Sequence, residues 1–543
     1  MAAEKYVYII GAVTGILILI VNLILISLIY DKVQQQQQEI VPEHDLIPLD
    51  CPVLILGAGF SGSYTAYRLA PRYKNDLCIV ERENRVGGKG HDLNYLGENA
   101  QTFETSVAPL GSIRFYRSQP VMVQLANELN ITSSSYAYRS NLIKARGKFY
   151  TQYNDMCNSS YENLNCTNDA DGVNSADQLW LAMLNYYRTS PASLSHFADL
   201  AAFARALMGD EAADYLRASF RFQSDFENTH PRAYMEFFDQ EWNLEFFDQE
   251  WNVGGEILYP YGGMSQFPKR MILNATAQFG ARLYLTEEVI SIGDYVVNDN
   301  QGFLFSVRTT RYEIRAKQIV CAIDPSGWKN IIGSVAQEIK SAPHFQAILP
   351  VKMVTIQNYW PRRWWEETQL VLPLGSIDRA WTSQNCITFI EVLSVQRPED
   401  RDQNLTRSVY DDSSCVSTWE EYMHRPSSDD LIEEVRRGLQ SIFPDVNIPT
   451  PTKTFYKIWP GAWHFQQAHS TFTNREIANW ALQPLPRFNY QALSMVGEAY
   501  YLNRATWADG AAKSALRTLA SQFKINFPCF DNDAAEGTFC ATA

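Results

Sequence analysis

Residues Val53–Ala70 read VLILGAGFSGSYTAYRLA, an apolar strand-like run that meets three glycines and continues with helical periodicity. Gly57, Gly59 and Gly62 form G-x-G-x-x-G. The first glycine allows a tight turn, the second lets backbone approach a pyrophosphate, and the third lets the helix pack on the strand. The helix N-terminus then faces the anion. LCIVE, Leu77–Glu81, is a second strand ending in an acid where such a unit places a carboxylate on a ribose hydroxyl. The plain alternative is a surface glutamate closing a strand. Strand, glycine turn, helix and strand make a mononucleotide-binding unit.

With 543 residues, 46% hydrophobic and 20% charged, the chain is globular in composition and has room for two or more cores. Its formal net charge of -14 disfavours nucleic acid as a partner. Tyr6–Tyr30 is uncharged and about as long as the ~20 residues a bilayer-spanning helix needs. Tyr30, Asp31 and Lys32 follow directly, without a small-residue cleavage site. An uncleaved transmembrane anchor is therefore expected over 6–30, then a polar, low-complexity stalk over 31–50, making a single-pass membrane protein.

Asn-x-Ser/Thr triplets open at Asn130, Asn158, Asn165, Asn274 and Asn404. Cys157 with Cys166, and Cys529 with Cys540, flank polar segments and suit disulfides. Both features favour an extracellular or lumenal body. Cys78 and Cys321 lie in apolar runs and read as buried free thiols. The eight histidines show no metal-ligand spacing, so no metal is expected.

The middle, Pro120–Val253, is rich in helical patterns and carries EFFDQEWN twice in tandem, from Glu236 and from Glu245. One tandem copy is no solenoid, which needs several repeats. Strands return from Arg282, and a last strand and helix follow in LSMVGEAYY and ADGAAKSALRTLASQF. Nucleotide-binding elements thus recur near the start, middle and end. The expected fold is α/β with two domains: a discontinuous Rossmann-like cofactor domain over 51–118, 255–335 and 485–525, and an inserted helical and mixed-sheet substrate domain over 119–254 and 336–484. A tail occupies 526–543.

Directly after the acidic strand end comes RENRVGGKG, Arg82–Gly90. An R-x-G-G turn here is foreign to a plain nicotinamide fold and resembles the flavin-containing amine oxidase family, where it reads R-x-G-G-R. The likeness continues in order through YPYGGMSQFP from Tyr259, LYLTEEVISIG from Leu283, QIVCAID from Gln318, and VGEAYY with TWADGAAKSAL near the end. The resemblance implies FAD in the glycine cradle. Gly57, Gly59, Phe60, Ser61 and Gly62 would lie at the pyrophosphate, with Glu81 on the adenosine ribose. Arg82, Gly88, Lys89, Gly111, Ser112 and Ile113 would add cofactor contacts, and Val289 would meet the adenine through its backbone. Glu498 would sit by the ribityl–pyrophosphate region, with Thr506, Trp507, Ala508 and Ala511 near the isoalloxazine. Lys89 stands where the family has arginine, a point charge in place of a planar fork, and Thr506 where glycine is common. WPGAWHFQ has no cysteine where monoamine oxidases attach their flavin, so non-covalent FAD is expected.

Ala108–Tyr116, APLGSIRFY, is similar within that family to the L-amino-acid oxidases of venom and mollusc type, which carry G-x-M-R-[FL]; Ile113 replaces the methionine. Their arginine grips the substrate α-carboxylate, and Arg114 offers a fork suited to one. The alternative is an arginine paired to a protein carboxylate or to the flavin. Lys352 matches the family lysine that reaches toward the flavin through water; the alternative is a solvated strand lysine. Trp507 would form one wall of an aromatic cage and Trp381 is a candidate for the other, against core packing. The implied reaction is oxidative deamination of an L-amino acid to a 2-oxo acid and ammonia, with dioxygen reduced to hydrogen peroxide. A polyamine or monoamine oxidase, a desaturase of the same fold, and a non-catalytic surface glycoprotein on a decayed flavin fold stay open, as does a homodimer.

Overall fold

The computed structural model describes residues 46–94, 107–136, 141–164, 175–220, 222–242, 257–295, 302–369, 377–382, 386–393, 404–488, 490–501 and 508–525, and every structural statement refers to these. The strand Ile47–Leu56 pairs in parallel with Leu77–Val80 on one side and Tyr312–Cys321 on the other, Val53 standing opposite Leu77 and Gln318. Arg282–Tyr284 extends the sheet beyond Leu77–Val80, and Leu493–Met495 pairs in parallel with the C-terminal end of Tyr312–Cys321. Phe305–Thr309 and Val289–Asp294 continue it antiparallel.

A parallel sheet is covered on both faces, so its strands read as unbroken apolar runs. Val53–Leu56 and Leu77–Val80 are accordingly all buried. The helices Phe60–Tyr73, Gln266–Leu273 and Ala508–Phe523 pack one face through Leu69, Met271 and Leu519. Ser334–Ser341 and Asn474–Leu482 pack the other through Val335, Ile339 and Ile477. One sheet is therefore built from chain segments far apart in sequence, in agreement with the α/β reading.

A second sheet runs Lys453–Gln466, Ile348–Tyr359, Leu405–Asp411, Phe389–Val392, Arg379–Thr382, Asn141–Ala145 and Lys148–Tyr150 in spatial order. Side chains alternate across a strand, so each strand divides between two faces. Val354, Ile356, Ile390 and Val392 meet Leu431, Val435 and Leu439 of the helix Ser428–Ile442, spaced by four residues as one helical stripe requires. Gln357, Glu391, Arg379 and Arg407 occupy the opposite face, where Gln357 donates to the carbonyl of Pro109, the end of the short strand Val107–Pro109. A helical layer packs around Trp180, whose ring stacks on Phe238 at 4.9 Å. The first EFFDQEWN copy begins in the helix Pro231–Trp242; the second lies outside the described residues.

The membrane anchor needs correction. Among the described residues no helix is long and apolar enough to cross a membrane; Ala508–Phe523, with 16 residues, falls short of the ~20 a span requires. The segment 6–30 lies outside the described residues, and the single-pass membrane assignment is withdrawn. Cys78 also departs from expectation. It bonds Cys51, its neighbour across adjacent strands, at a Cα–Cα distance of 5.7 Å, while Cys321 is a buried free thiol as expected. Cys157 is disulfide-bonded; Cys166, Cys529 and Cys540 lie outside the described residues. A pair the sequence did not suggest, Cys386–Cys415, ties a strand approach to the helix Val416–Met423.

Candidate active site

At the carboxyl end of Ile47–Leu56 the backbone turns through Gly57, whose φ of 98° favours glycine and whose added Cβ would lie 2.8 Å from the Ala322 carbonyl oxygen. A Cβ on Gly62 would fall 1.9 Å from the Gly57 oxygen. Gly59 differs. Its nearest neighbour would be the Gly88 Cα at 3.8 Å, so its front stays open. The helix begins at Phe60 with no side-chain cap at Gly59, which leaves its first N–H groups for an anion. Phe60 packs on Phe267, and Ser61 donates weakly to the Val496 carbonyl.

Glu81 accepts from the Ala58 and Glu83 N–H groups at 2.8 and 2.9 Å. Each oxygen keeps a second lone pair for a hydroxyl. Burial pushes its carboxyl up despite these two donors. Arg82 is exposed. The Gly87–Gly88 turn abuts Gly59, and a Cβ on Gly111 would strike the Lys89 oxygen, so the two loops touch backbone to backbone. Ser112 N–H donates to that same oxygen at 3.0 Å. Ile113 packs among Tyr116, Ile257 and Tyr259, and half-buried Val289 opens its strand opposite Thr309. Ala508 and Ala511 begin the last helix; Thr506 and Trp507 lie outside the described residues.

Lys89 sits in a charged cluster. Its ammonium is 3.0 Å from Glu498, 3.1 Å from Asp324 and 3.1 Å from the Ala462 carbonyl. The His464 imidazole bridges the carboxylates, meeting Glu498 through Nδ1 and Asp324 through Nε2, the latter at 3.3 Å. Burial opposes charge on His464, but the two carboxylates outweigh it and its pKa is raised. Burial likewise opposes the charges of Asp324 and Glu498, and His464 with Lys89 outweighs it, lowering both. Donor atoms of Asp324, His464 and Glu498 lie within 4.8 Å of one another. The Lys89 ammonium already supplies a cation to both carboxylates, so the cluster is satisfied as an ion-pair network. Glu498 Oε2 is buried without a hydrogen-bond partner. That orphaned acceptor, the uncapped helix and the open front of Gly59 together fit a bound dinucleotide.

The second sheet carries a buried charge group of its own. Arg114 and Arg407 flank Glu391 at 3.6 and 3.2 Å; the arginine side chains are 5% exposed and Glu391 1%. Arg379 stands opposite Glu391 on the next strand. A β-bulge at Ser408, where Ile356 faces Val409 but Gln357 faces Arg407, brings Arg407 and Tyr410 onto the same face. The Arg407 guanidinium lies 4.4 Å over the Tyr410 ring, and Tyr410 meets Trp463 at 6.3 Å and Phe222 at 6.0 Å. Trp463 directly follows Ala462, so contacts run unbroken from Lys89 to Arg114.

A family model of flavin-containing amine oxidoreductases matches residues 60–518. The chain belongs to that family. Its fold is shared with solved structures of a redesigned putrescine oxidase (TM-score 0.62, 12% identity, covering 88% of this chain and 100% of that one) and of cyclohexylamine oxidase from Brevibacterium oxydans IH-35A (TM-score 0.63, 14% identity, 88% and 99%). At such identities the likeness establishes fold alone. Tryptophan 2-monooxygenase of Allorhizobium ampelinum is 36% identical over 81 residues, 15% of this chain and 10% of that protein, so the chain spans a tenth of that relative in the match.

Family membership makes the protein a flavin-dependent amine oxidoreductase, and the structure sorts the sequence-derived site residues. The glycine turn, Glu81, the R-x-G-G turn and Glu498 converge on the cradle. Arg114 is buried and carries a protein carboxylate, Glu391, as its partner. Lys352 departs from its expected role: it alternates onto the face carrying Val354 and Ile356, where it is exposed and paired to Glu420 of the helix Val416–Met423. Trp381 shares a face with Arg379 but packs into a core with Tyr153, Met156 and Tyr215. Sequence reading missed Asp324, Glu391, Arg407, Tyr410, Trp463 and His464. QIVCAID and WPGAWHFQ contain three of these; the strands bearing Glu391, Arg407 and Tyr410 match no motif.

Proposed function

We propose that this amine oxidoreductase is an FAD-dependent oxidase of L-α-amino acids, converting them with dioxygen and water to 2-oxo acids, ammonia and hydrogen peroxide. One observation carries the reading. Arg114 lies buried three residues after Gly111, which abuts the Lys89 oxygen of the cofactor loop, and its carboxylate partner Glu391 is shared with a second buried guanidinium, that of Arg407. Two guanidiniums beside one another suit a carboxylate-bearing substrate better than a diamine. Arg114 would hold the α-carboxylate through charge-assisted hydrogen bonds and so fix the Cα–H toward the cofactor. Tyr410, Trp463 and Phe222 would wall the substrate from water. The glycine turn, the helix N-terminus at Phe60, Glu81 and Glu498 would hold FAD non-covalently, the first sheet acting as cofactor domain and the second as substrate domain. When bound, FAD supplies the two-electron acceptor.

Peroxide release from the purified protein, tested with a panel of L-amino acids beside putrescine and cyclohexylamine, checks the reading. Peroxide from L-amino acids is expected. Peroxide from the carboxylate-free amines alone would refute it in favour of an amine oxidase. Acid precipitation should leave the yellow chromophore in the supernatant; colour retained in the pellet would refute non-covalent binding.

A further inference from the structure

We infer that Arg407 is a second carboxylate-binding residue of the substrate site, and that Glu391 is the positioning residue that spaces it from Arg114. The inference rests on the amino-acid oxidase reading above. Glu391 stands directly opposite Arg407 in the strand pairing, and its two oxygens engage different guanidiniums, Oε1 that of Arg114 and Oε2 that of Arg407. One glutamate therefore sets the separation of two planar forks. A ligand carboxylate that meets both gains the arrangement in which guanidinium groups bind carboxylates best.

Arg407 also has donor capacity left over. Its Nε is buried without a hydrogen-bond partner. A buried donor left without an acceptor is destabilising, so its retention calls for an acceptor that arrives with a ligand. The bulge at Ser408 supplies the geometry: it turns Tyr410 to the same face and sets the guanidinium over that ring. Tyr410 continues to Trp463, the residue after Ala462, whose carbonyl accepts from Lys89 of the cofactor loop. Arg407 thus stands at the far end of an aromatic wall that starts at the cofactor cradle. A substrate spanning that wall would place its amine-bearing carbon toward the cradle and its acid group at Arg407 and Arg114.

The experiment compares wild-type holoenzyme with Arg407→Gln and Arg407→Lys. Steady-state oxidation of L-leucine is followed by peroxide release, and binding of benzoate, a carboxylate that cannot be oxidised, is followed by tryptophan fluorescence. Arg407→Gln should raise KM for L-leucine and Kd for benzoate by on the order of tenfold to hundredfold, the loss of one charge-assisted hydrogen bond. Its kcat should fall far less. Arg407→Lys, which keeps the charge and the pairing to Glu391, should recover part of the loss and guards against a folding defect. A wild-type protein that oxidises L-leucine while both variants keep KM and benzoate affinity within about twofold overturns this inference alone. A wild-type protein inactive on every L-amino acid overturns the underlying reading, and this assignment with it.

Discussion

Replacing Glu391 with glutamine removes the carboxylate shared by Arg114 and Arg407 while leaving shape nearly unchanged. At 3.2 and 3.6 Å, and an effective dielectric near 20, each contact is worth about 5 kcal/mol of gross attraction. Most of that offsets the cost of keeping three charges out of water. The net penalty for stripping one member from a buried ion group, and so stranding its partners, is about 3–5 kcal/mol. Glu391→Gln should therefore lower unfolding free energy by about 4 kcal/mol, read from urea denaturation followed by tryptophan fluorescence.

A second measurement separates charge from packing. Glu391→Ala leaves room for a small anion between the guanidiniums. Formate at 100 times its dissociation constant should restore about 2.7 kcal/mol to this variant and nothing comparable to wild type. Stability of Glu391→Gln within about 0.5 kcal/mol of wild type, with no formate response in Glu391→Ala, would refute the buried-cluster reasoning.

Gly59→Ala should leave apoprotein stability nearly unchanged, because its Cβ has ordinary clearance from Gly88, yet weaken FAD uptake by tenfold or more through collision with the phosphates; absorbance titration with FAD reads the loss, and unaltered uptake would place the pyrophosphate elsewhere. His464 has a raised pKa in the folded protein, so its contribution to stability is present below its ordinary value of 6.5 and lost as pH climbs through the folded value. The stability difference between wild type and His464→Gln should thus shrink as pH is raised from 6 to 9, and a difference that grows would reverse the assigned protonation.

The cofactor half of the protein was legible in its residues because local rules dictate it. A turn that passes backbone under a phosphate needs glycine at Gly57 and Gly62, where a Cβ would strike backbone oxygens, and a fully covered parallel strand needs an unbroken apolar run such as Val53–Leu56. The substrate half obeys weaker local constraints. Lys352 reads like a catalytic lysine, but strand alternation turns it to the far face and pairs it with Glu420. Cys78 reads like a buried thiol, but only strand pairing reveals Cys51 beside it.

By itself the sequence determined a dinucleotide cradle, the order of its pieces and the amine oxidoreductase family. Only the tertiary structure decided which charges meet: Lys89 with Asp324, His464 and Glu498, and Arg114 with Glu391 and Arg407. Those partners lie 16 to 409 positions apart in the chain by their numbering. Periodicity constrains a residue's neighbours within one strand or helix; a Coulomb partner is chosen by sheet pairing, by bulges and by which faces are left to one another once the apolar faces are buried.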